Sequence, residues 1–262
     1  MIHQFVVEVP EADAELAADA LWALGVVAIE ERAGARHGLV ELWTSLGDSL
    51  DVSLPWPSRV VEVDDTVAES WRRFATPTVV TDTLVVCPAG VSFEAPASVT
   101  VVRIEPGSTF GMGDHPTTRL SLAALQRVLR PGERVLDVGC GSGVLAVGAM
   151  LLGAGEAVGI DISPAAVPVT RDNAERNGVS VSVSTAPLSD IDGRFDVVLA
   201  NILAPALVAL ADDLVRVVAP GGRLVISGIL ASAHQHVLEA LEPMHVNTVD
   251  ELDGWVAVEL GS

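Results

Sequence analysis

The sequence predicts a doubly wound, mostly parallel α/β domain preceded by a small α+β unit. From residue 135 onward, short apolar runs bounded by turn residues alternate with stretches of helical periodicity, the pattern of a parallel sheet with crossover helices. The first of these runs, VLDV at 135–138, leads into glycines at 139, 141 and 143 and then into an apolar helical stretch. Before about residue 64 the pattern differs, with short strands, one helix and the irregular LGDSLDVSLPWPS. The expected organisation is a small unit over 1–63, a helical linker over 64–76 and the α/β domain over 77–262.

In the small unit, QFVVEV at 4–9 reads as a strand and EADAELAADALWAL at 11–24 as a helix stopped by Gly25. Residues 26–31 and 38–43 read as two strands around a turn holding His37, and 60–64 as another. None of these residues points to chemistry, which leaves substrate recognition or a structural role. Residues 65–74 carry a charged helical pattern ended by Pro77, with Trp71 and Phe74 as packing residues.

The runs TLVVCP and SVTVVRI from residue 83 onward predict two strands ahead of EPGSTFGMGDHPTTRL. Its glycine-rich part, 106–115, predicts a loop, and Pro116 suits the first turn of the helix that follows. Thr117 and Thr118 would lie in that turn, offering hydroxyls to a ligand or capping the helix, and His115 reads as an amine-orienting residue or an ordinary loop histidine. After the glycines come a strand at 157–161, a helix opened by Ser163 and Pro164 and closed at Gly178, and strands at 181–185 and 195–200. Pro168 sits inside that helix with no explanation from the sequence. A helix at 206–218, the turn PGG, a strand RLVISGI, a helix at 231–242 and the final strands MHVNTV and WVAVEL complete a sheet with one antiparallel strand.

Composition narrows the function. Half of the 262 residues are hydrophobic, enough for a large core, and 35 acidic against 15 basic residues give a formal charge of −20. That charge repels a phosphate backbone and argues for a basic protein partner over nucleic acid. Cys87 and Cys140 have no metal-ligand or disulfide spacing, so no metal is expected, and Cys140 suits the glycine loop as a small structural residue. The start, MIHQFVVEVPEADAEL, lacks the basic and apolar pattern of a secretory leader, and the longest apolar stretches are broken before membrane length; a cytoplasmic location is expected.

The glycines suggest the cofactor. Gly139 and Gly141 allow close backbone approach to a ligand ahead of a helix N-terminus, but the sixth position from Gly139 is Val144, so the nicotinamide fingerprint fails. Asp161, ending the next strand, stands where a carboxylate takes the two hydroxyls of a ribose. Together they point to S-adenosylmethionine rather than to a glycine turn in another α/β protein. Asp137, Asp161 and Asn201 all fall at the carboxyl ends of strands, where such sheets bind ligands.

WRRF, EPGSTFGMGDHPTTRL, VLDVGCGSGVLAVGAMLLGA, GIDISPAAV, RDNAERNGV, DVVLANILA, PGGRLVISGIL and the late Trp255, in this order from about residue 70, carry a resemblance. The chain resembles the bacterial ribosomal-protein methyltransferases called PrmA, which trimethylate the eleventh protein of the large ribosomal subunit. The resemblance implies a class I methyltransferase-type seven-stranded sheet and a small recognition domain ahead of it. It places Thr118, Gly139, Asp161 and Asn201 on cofactor positions, with the NILA loop facing the incoming amine and His115 and Thr117 beside it. Met112, where the family usually has Thr, and Asp114 before His115 depart from its pattern.

The resemblance implies methyl transfer to lysine ε-amino or N-terminal α-amino groups of a basic large-subunit ribosomal protein by a monomer. Asn201, His115 and Thr117 would serve the amine, and S-adenosylhomocysteine would be the product. The alternatives are lysine methylation of a different protein, and a cofactor-binding module without catalysis.

Overall fold

The computed structural model describes residues 2–23, 26, 29–34, 36, 38–44, 54–63, 76–105 and 113–261. The expected linker helix with Trp71 and Phe74, His37, and the stretch 106–112 with Met112 lie outside the described residues. The chain divides into two compact units, Met1–Ala75 and Thr76–Ser262.

In the first unit, β1 (Ile2–Pro10) runs through a short 3-10 turn into α1 (Ala14–Ala23), followed by β2 (Ile29–Ala33), β3 (Leu39–Thr44) and β4 (Ser58–Val63). The strands form an antiparallel sheet in the order β2-β3-β1-β4. Phe5, Val7 and Val9 alternate along β1 and bury against Ala17 and Leu21 of α1, as a half-buried strand under an amphipathic helix requires. On strand β3, Trp43 donates from its indole N–H to Glu41, while the Arg32 guanidinium lies 4.1 Å over its ring. The second strand, Ile29–Ala33, runs two residues past the end at 31 that the sequence predicts.

The second unit opens with β5 (Thr78–Thr81), β6 (Leu84–Pro88) and β7 (Thr100–Ile104), a three-stranded sheet in which β6 pairs antiparallel with β5 and parallel with β7. β5 was not expected from the sequence; its four residues are partly exposed and carry no alternation. There follow α2 (Pro116–Val128), β8 (Arg134–Val138), α3 (Val144–Leu151), β9 (Glu156–Ile160), α4 (Ala166–Arg176), β10 (Ser182–Ser184) and β11 (Phe195–Asn201). Then come α5 (Ala204–Ala209), α6 (Ala211–Val217), β12 (Val218–Leu230), α7 (Gln235–Ala240), β13 (His245–Leu252) and β14 (Trp255–Gly261).

Strands β8 to β14 make one sheet in the order β10-β9-β8-β11-β12-β14-β13, with only β14 antiparallel to its neighbours. Side-chain alternation divides the core. Val135, Val197, Leu199 and Val225 pack with Leu122, Leu125 and α3 on one face. Leu136, Val138, Val198, Ala200, Leu224 and Ile226 pack with Leu207, Leu214 and Val237 on the other. Both faces are covered, which is why β11 reads as a continuous apolar run.

Several expected boundaries move. The helix expected at 206–218 is two helices, interrupted at Leu210, whose φ of −100° and ψ of 4° leave the α region without a Gly or Pro to announce it. The helix expected at 231–242 is a 3-10 turn followed by α7. PGG at 220–222 is an irregularity inside β12, whose pairing shifts from Phe195 with Val218 to Val197 with Arg223. Helix α4 starts at Ala166, so Pro168 falls in its first turn, where a backbone N–H has no intrahelical acceptor and its loss costs little.

Candidate cofactor and amine site

The sheet order places β8 between β9 and β11, so its helical connections leave in opposite directions and a crevice opens at the carboxyl ends. Register puts the expected residues there. Val138 pairs with Ile160 on one side and Ala200 on the other, so Gly139, Asp161 and Asn201 follow in line from three adjacent strands.

The glycine loop hangs from β9: the N–H groups of Gly139 and Cys140 both donate to the Ile160 carbonyl, at 2.8 and 3.1 Å. Asp161 then closes the crevice floor. Its Oδ2 accepts from the Gly141 N–H and its Oδ1 from the Ser163 N–H, each at 2.8 Å. Gly139 has a φ of 74° and lies under Ile202, whose Cγ2 would collide with any Cβ there. The residue after Asn201 therefore packs directly on the first glycine. Ile162, next to Asp161, is 97 % exposed and leaves an apolar surface beside the carboxylate.

Beneath the loop lies Asp137, 1 % exposed. Its Oδ2 accepts from the Ala146 N–H at 3.1 Å, and its Oδ1 has no hydrogen-bond partner. Burial pushes its acid up to about 7, the Ala146 N–H opposes the shift and the nearby Asp161 charge adds to it. Sequence reasoning recorded Asp137 only as a strand end; the signal was an acid closing an otherwise apolar buried run. Cys140 is buried, 3.6 Å from the Thr170 hydroxyl, and burial holds its thiol far above the usual range, which makes it a packing residue rather than a nucleophile.

The other side of the crevice is built by α2. His115 is its N-cap, accepting from the Thr117 N–H on Nδ1 at 3.3 Å, with the Thr117 hydroxyl 2.8 Å from the same nitrogen. The imidazole meets the Trp255 ring edge-on at 5.1 Å. Trp255 begins β14 opposite Leu230, so His115 stands over a strand two places from β11. That is about 10 Å at ordinary strand spacing. Burial lowers the His115 pKa, while the charge of Asp114 raises it. Thr117 and Thr118 are buried, and Thr118 Oγ1 has no hydrogen-bond partner.

Thus Gly139, Gly141, Asp161 and Asn201 converge at one point, while His115, Thr117 and Thr118 sit together on α2. The sequence had not indicated that Trp255 meets His115, because the two residues lie 140 apart in the chain. Among the described residues, no three His, Cys, Asp or Glu side chains are grouped to hold a metal ion. No helix among them is long and apolar enough to cross a membrane.

The family model described as "Ribosomal protein L11 methyltransferase (PrmA)" matches residues 53–261. A ribosomal protein L11 methyltransferase from Geobacter sulfurreducens is 47 % identical over 186 residues, covering 71 % of this chain and 62 % of that protein. One from Symbiobacterium thermophilum is 41 % identical over 232 residues, covering 87 % of this chain and 75 % of that protein. This chain spans only about three fifths of the length of the Geobacter relative. The crystal structure of a ribosomal protein L11 methylase from Lactobacillus delbrueckii subsp. bulgaricus is 29 % identical, with a TM-score of 0.64, covering 70 % of this chain and 95 % of that one. The architecture is accordingly the class I methyltransferase fold that the resemblance implied. The chain belongs to the ribosomal protein L11 methyltransferase (PrmA) family.

Proposed function

We propose that the protein transfers methyl groups from S-adenosylmethionine to lysine ε-amino or N-terminal α-amino groups of the eleventh protein of the large ribosomal subunit. The observation that carries this reading is the alignment of Gly139, Asp161 and Asn201 at the switch point, with the Asp161 carboxylate pinned by two backbone N–H groups. The names of its relatives supply the substrate. The small unit over 1–63 would recognise that substrate, and the chain's charge of −20 favours a basic one. The reading places the enzyme in the cytoplasm as a monomer, without direct contact to nucleic acid.

The residues present fit the cofactor. An ionised carboxylate has about four acceptor positions, so Asp161 retains two for ribose hydroxyls after the Gly141 and Ser163 bonds. The unpartnered Thr118 Oγ1 and the close approach allowed by Gly139 suit a polar ligand tail against the loop. Bound there, S-adenosylmethionine supplies an electrophilic methyl group on a sulfonium.

The chain's own contribution is orientation. A lysine amine has an ordinary pKa of about 10.4 and must lose a proton before it attacks. His115 does not suit the task of proton acceptor. The Thr117 N–H can only donate, so Nδ1 is the acceptor nitrogen of the neutral ring and Nε2 carries the hydrogen. His115 is thus an orienting residue that holds Thr117 and Trp255, and the proton leaves to water. Asn201 and the NILA carbonyls would hold the amine, so the rate effect comes from proximity.

The test is incubation with labelled S-adenosylmethionine and separated ribosomal proteins, followed by mass mapping. All 15 basic residues of this chain, apart from histidine, are arginine, so the enzyme offers no lysine of its own to take up label. Label on amines of the eleventh large-subunit protein is expected; label on another protein only, or on none, contradicts the assignment.

A further inference from the structure

Asn173 on α4 and Asn177 at the C-cap of that helix, one turn apart, hold the outer edge of the three-stranded sheet. The Arg103 N–H donates to Asn177 Oδ1 at 2.9 Å, and Asn177 Nδ2 donates to the Arg103 carbonyl at 2.7 Å. Asn173 repeats the arrangement at Glu105, whose N–H donates to Oδ1 and whose carbonyl accepts from Nδ2, both at 2.9 Å. β7 is last in the order β5-β6-β7, so among the described residues these main-chain groups face no strand and the two amides take the place of one. The spacing permits it, because four helical residues advance about 6 Å and two strand residues about 6.6 Å.

Asn173, unlike Asn177, reaches the glycine loop. Its Nδ2 also donates to the Ser142 carbonyl at 2.9 Å, inside the glycine loop, and its side chain is buried with the residue 1 % exposed. Thr170, three residues before it, donates to the Gly141 carbonyl at 3.1 Å. Glu105 immediately precedes the stretch 106–112 that joins β7 to α2. One amide therefore ties the turn that presents the cofactor to the strand that delivers the chain toward His115 and Thr117.

We propose that Asn173 is a positioning residue for cofactor binding: it fixes the glycine loop against the end of β7, whereas Asn177 anchors the same strand edge without reaching the loop. This inference rests on the reading of the glycine loop as the S-adenosylmethionine site. Removing the Asn173 amide takes away its bond to the Ser142 carbonyl as well as its two bonds to the main chain of Glu105, and with them the tie between the loop and β7. Removing the Asn177 amide strands the Arg103 pair and loses a bond to the Asn173 carbonyl, leaving the loop held.

The two residues form a matched pair for experiment. Affinity for S-adenosylhomocysteine is measured by calorimetry, and melting temperature alongside it, for the unmodified chain, Asn173→Ala and Asn177→Ala. Both variants are expected to melt lower, but only Asn173→Ala should bind about tenfold or more weakly, the loss of one or two buried hydrogen bonds. Asn177→Ala should stay within about twofold. Should Asn173→Ala fail to fold, Asn173→Asp, of the same shape but without the donors, is measured with the same expectation. Equal losses of affinity in both variants, or none in either, overturn the proposal alone. Failure of the unmodified chain to bind overturns it together with the cofactor reading.

Discussion

The two sides of the crevice are built in different ways. On the β8–β9 side, every element that shapes the floor is local: a strand end, five residues of loop, and a carboxylate fixed by the backbone N–H groups of Gly141 and Ser163. On the α2 side, the parts come from distant stretches, with His115 capping a helix and Trp255 opening the antiparallel strand β14. Under the proposed function, the pinned strand ends would supply affinity for the cofactor, and Asn201 with the α2 residues would choose and orient the amine.

Substitutions on the two sides should therefore split binding from turnover. The largest effect is expected for Asn201→Ala, which removes the side chain proposed to orient the amine; methyl transfer should fall by about 100-fold or more with the melting temperature retained. Near-normal turnover would remove Asn201 from the amine site. Asp161→Ala should act in the opposite sense, weakening S-adenosylhomocysteine by about 10- to 100-fold, as the loss of charge-assisted hydrogen bonds predicts. Calorimetry would contradict the division if affinity survived this change.

Asp137→Asn sharpens the comparison on stability. The folded-state pKa of about 7 lies above the ordinary 3.8, so the folded chain keeps a proton that the unfolded chain releases. The stability contribution of Asp137 falls as pH rises from about 4 to about 7 and is constant above that, by at most about 4 kcal/mol. In the ligand-free chain, Asp137→Asn should gain several degrees relative to the unmodified chain at pH 8 and much less near pH 5, as read by thermal melts. An equal difference at both values would show that Asp137 does not titrate in this window. The smallest effect is expected for His115→Ala: loss of the cap costs about 1 kcal/mol, and turnover should fall a few-fold with an unchanged pH profile. A pH profile that loses a limb would restore His115 as a base.

The same contrast governs what could be read from the chain alone. The placement of Gly139, Gly141 and Asp161 at adjoining strand ends was legible because a turn of positive φ calls for glycine and an apolar run closed by an acid reads as a strand end, both local signals. A mostly parallel sheet with a single antiparallel strand was legible from the alternation of apolar runs and helices. The orphaned Oδ1 of Asp137 was not, since it depends on how tightly α3 covers the strand end. Nor were the Trp255 contact, the break at Leu210 or strand β5, all of which tertiary packing decides without a local turn signal.

The division of the crevice is tested most directly by a crystal structure with S-adenosylhomocysteine bound. The ribose hydroxyls should lie on the Asp161 carboxylate, the amino-acid end against the glycine loop and Thr118, and the thioether facing Asn201. A ligand bound away from Asp161, or with its sulfur turned from Asn201, would contradict it.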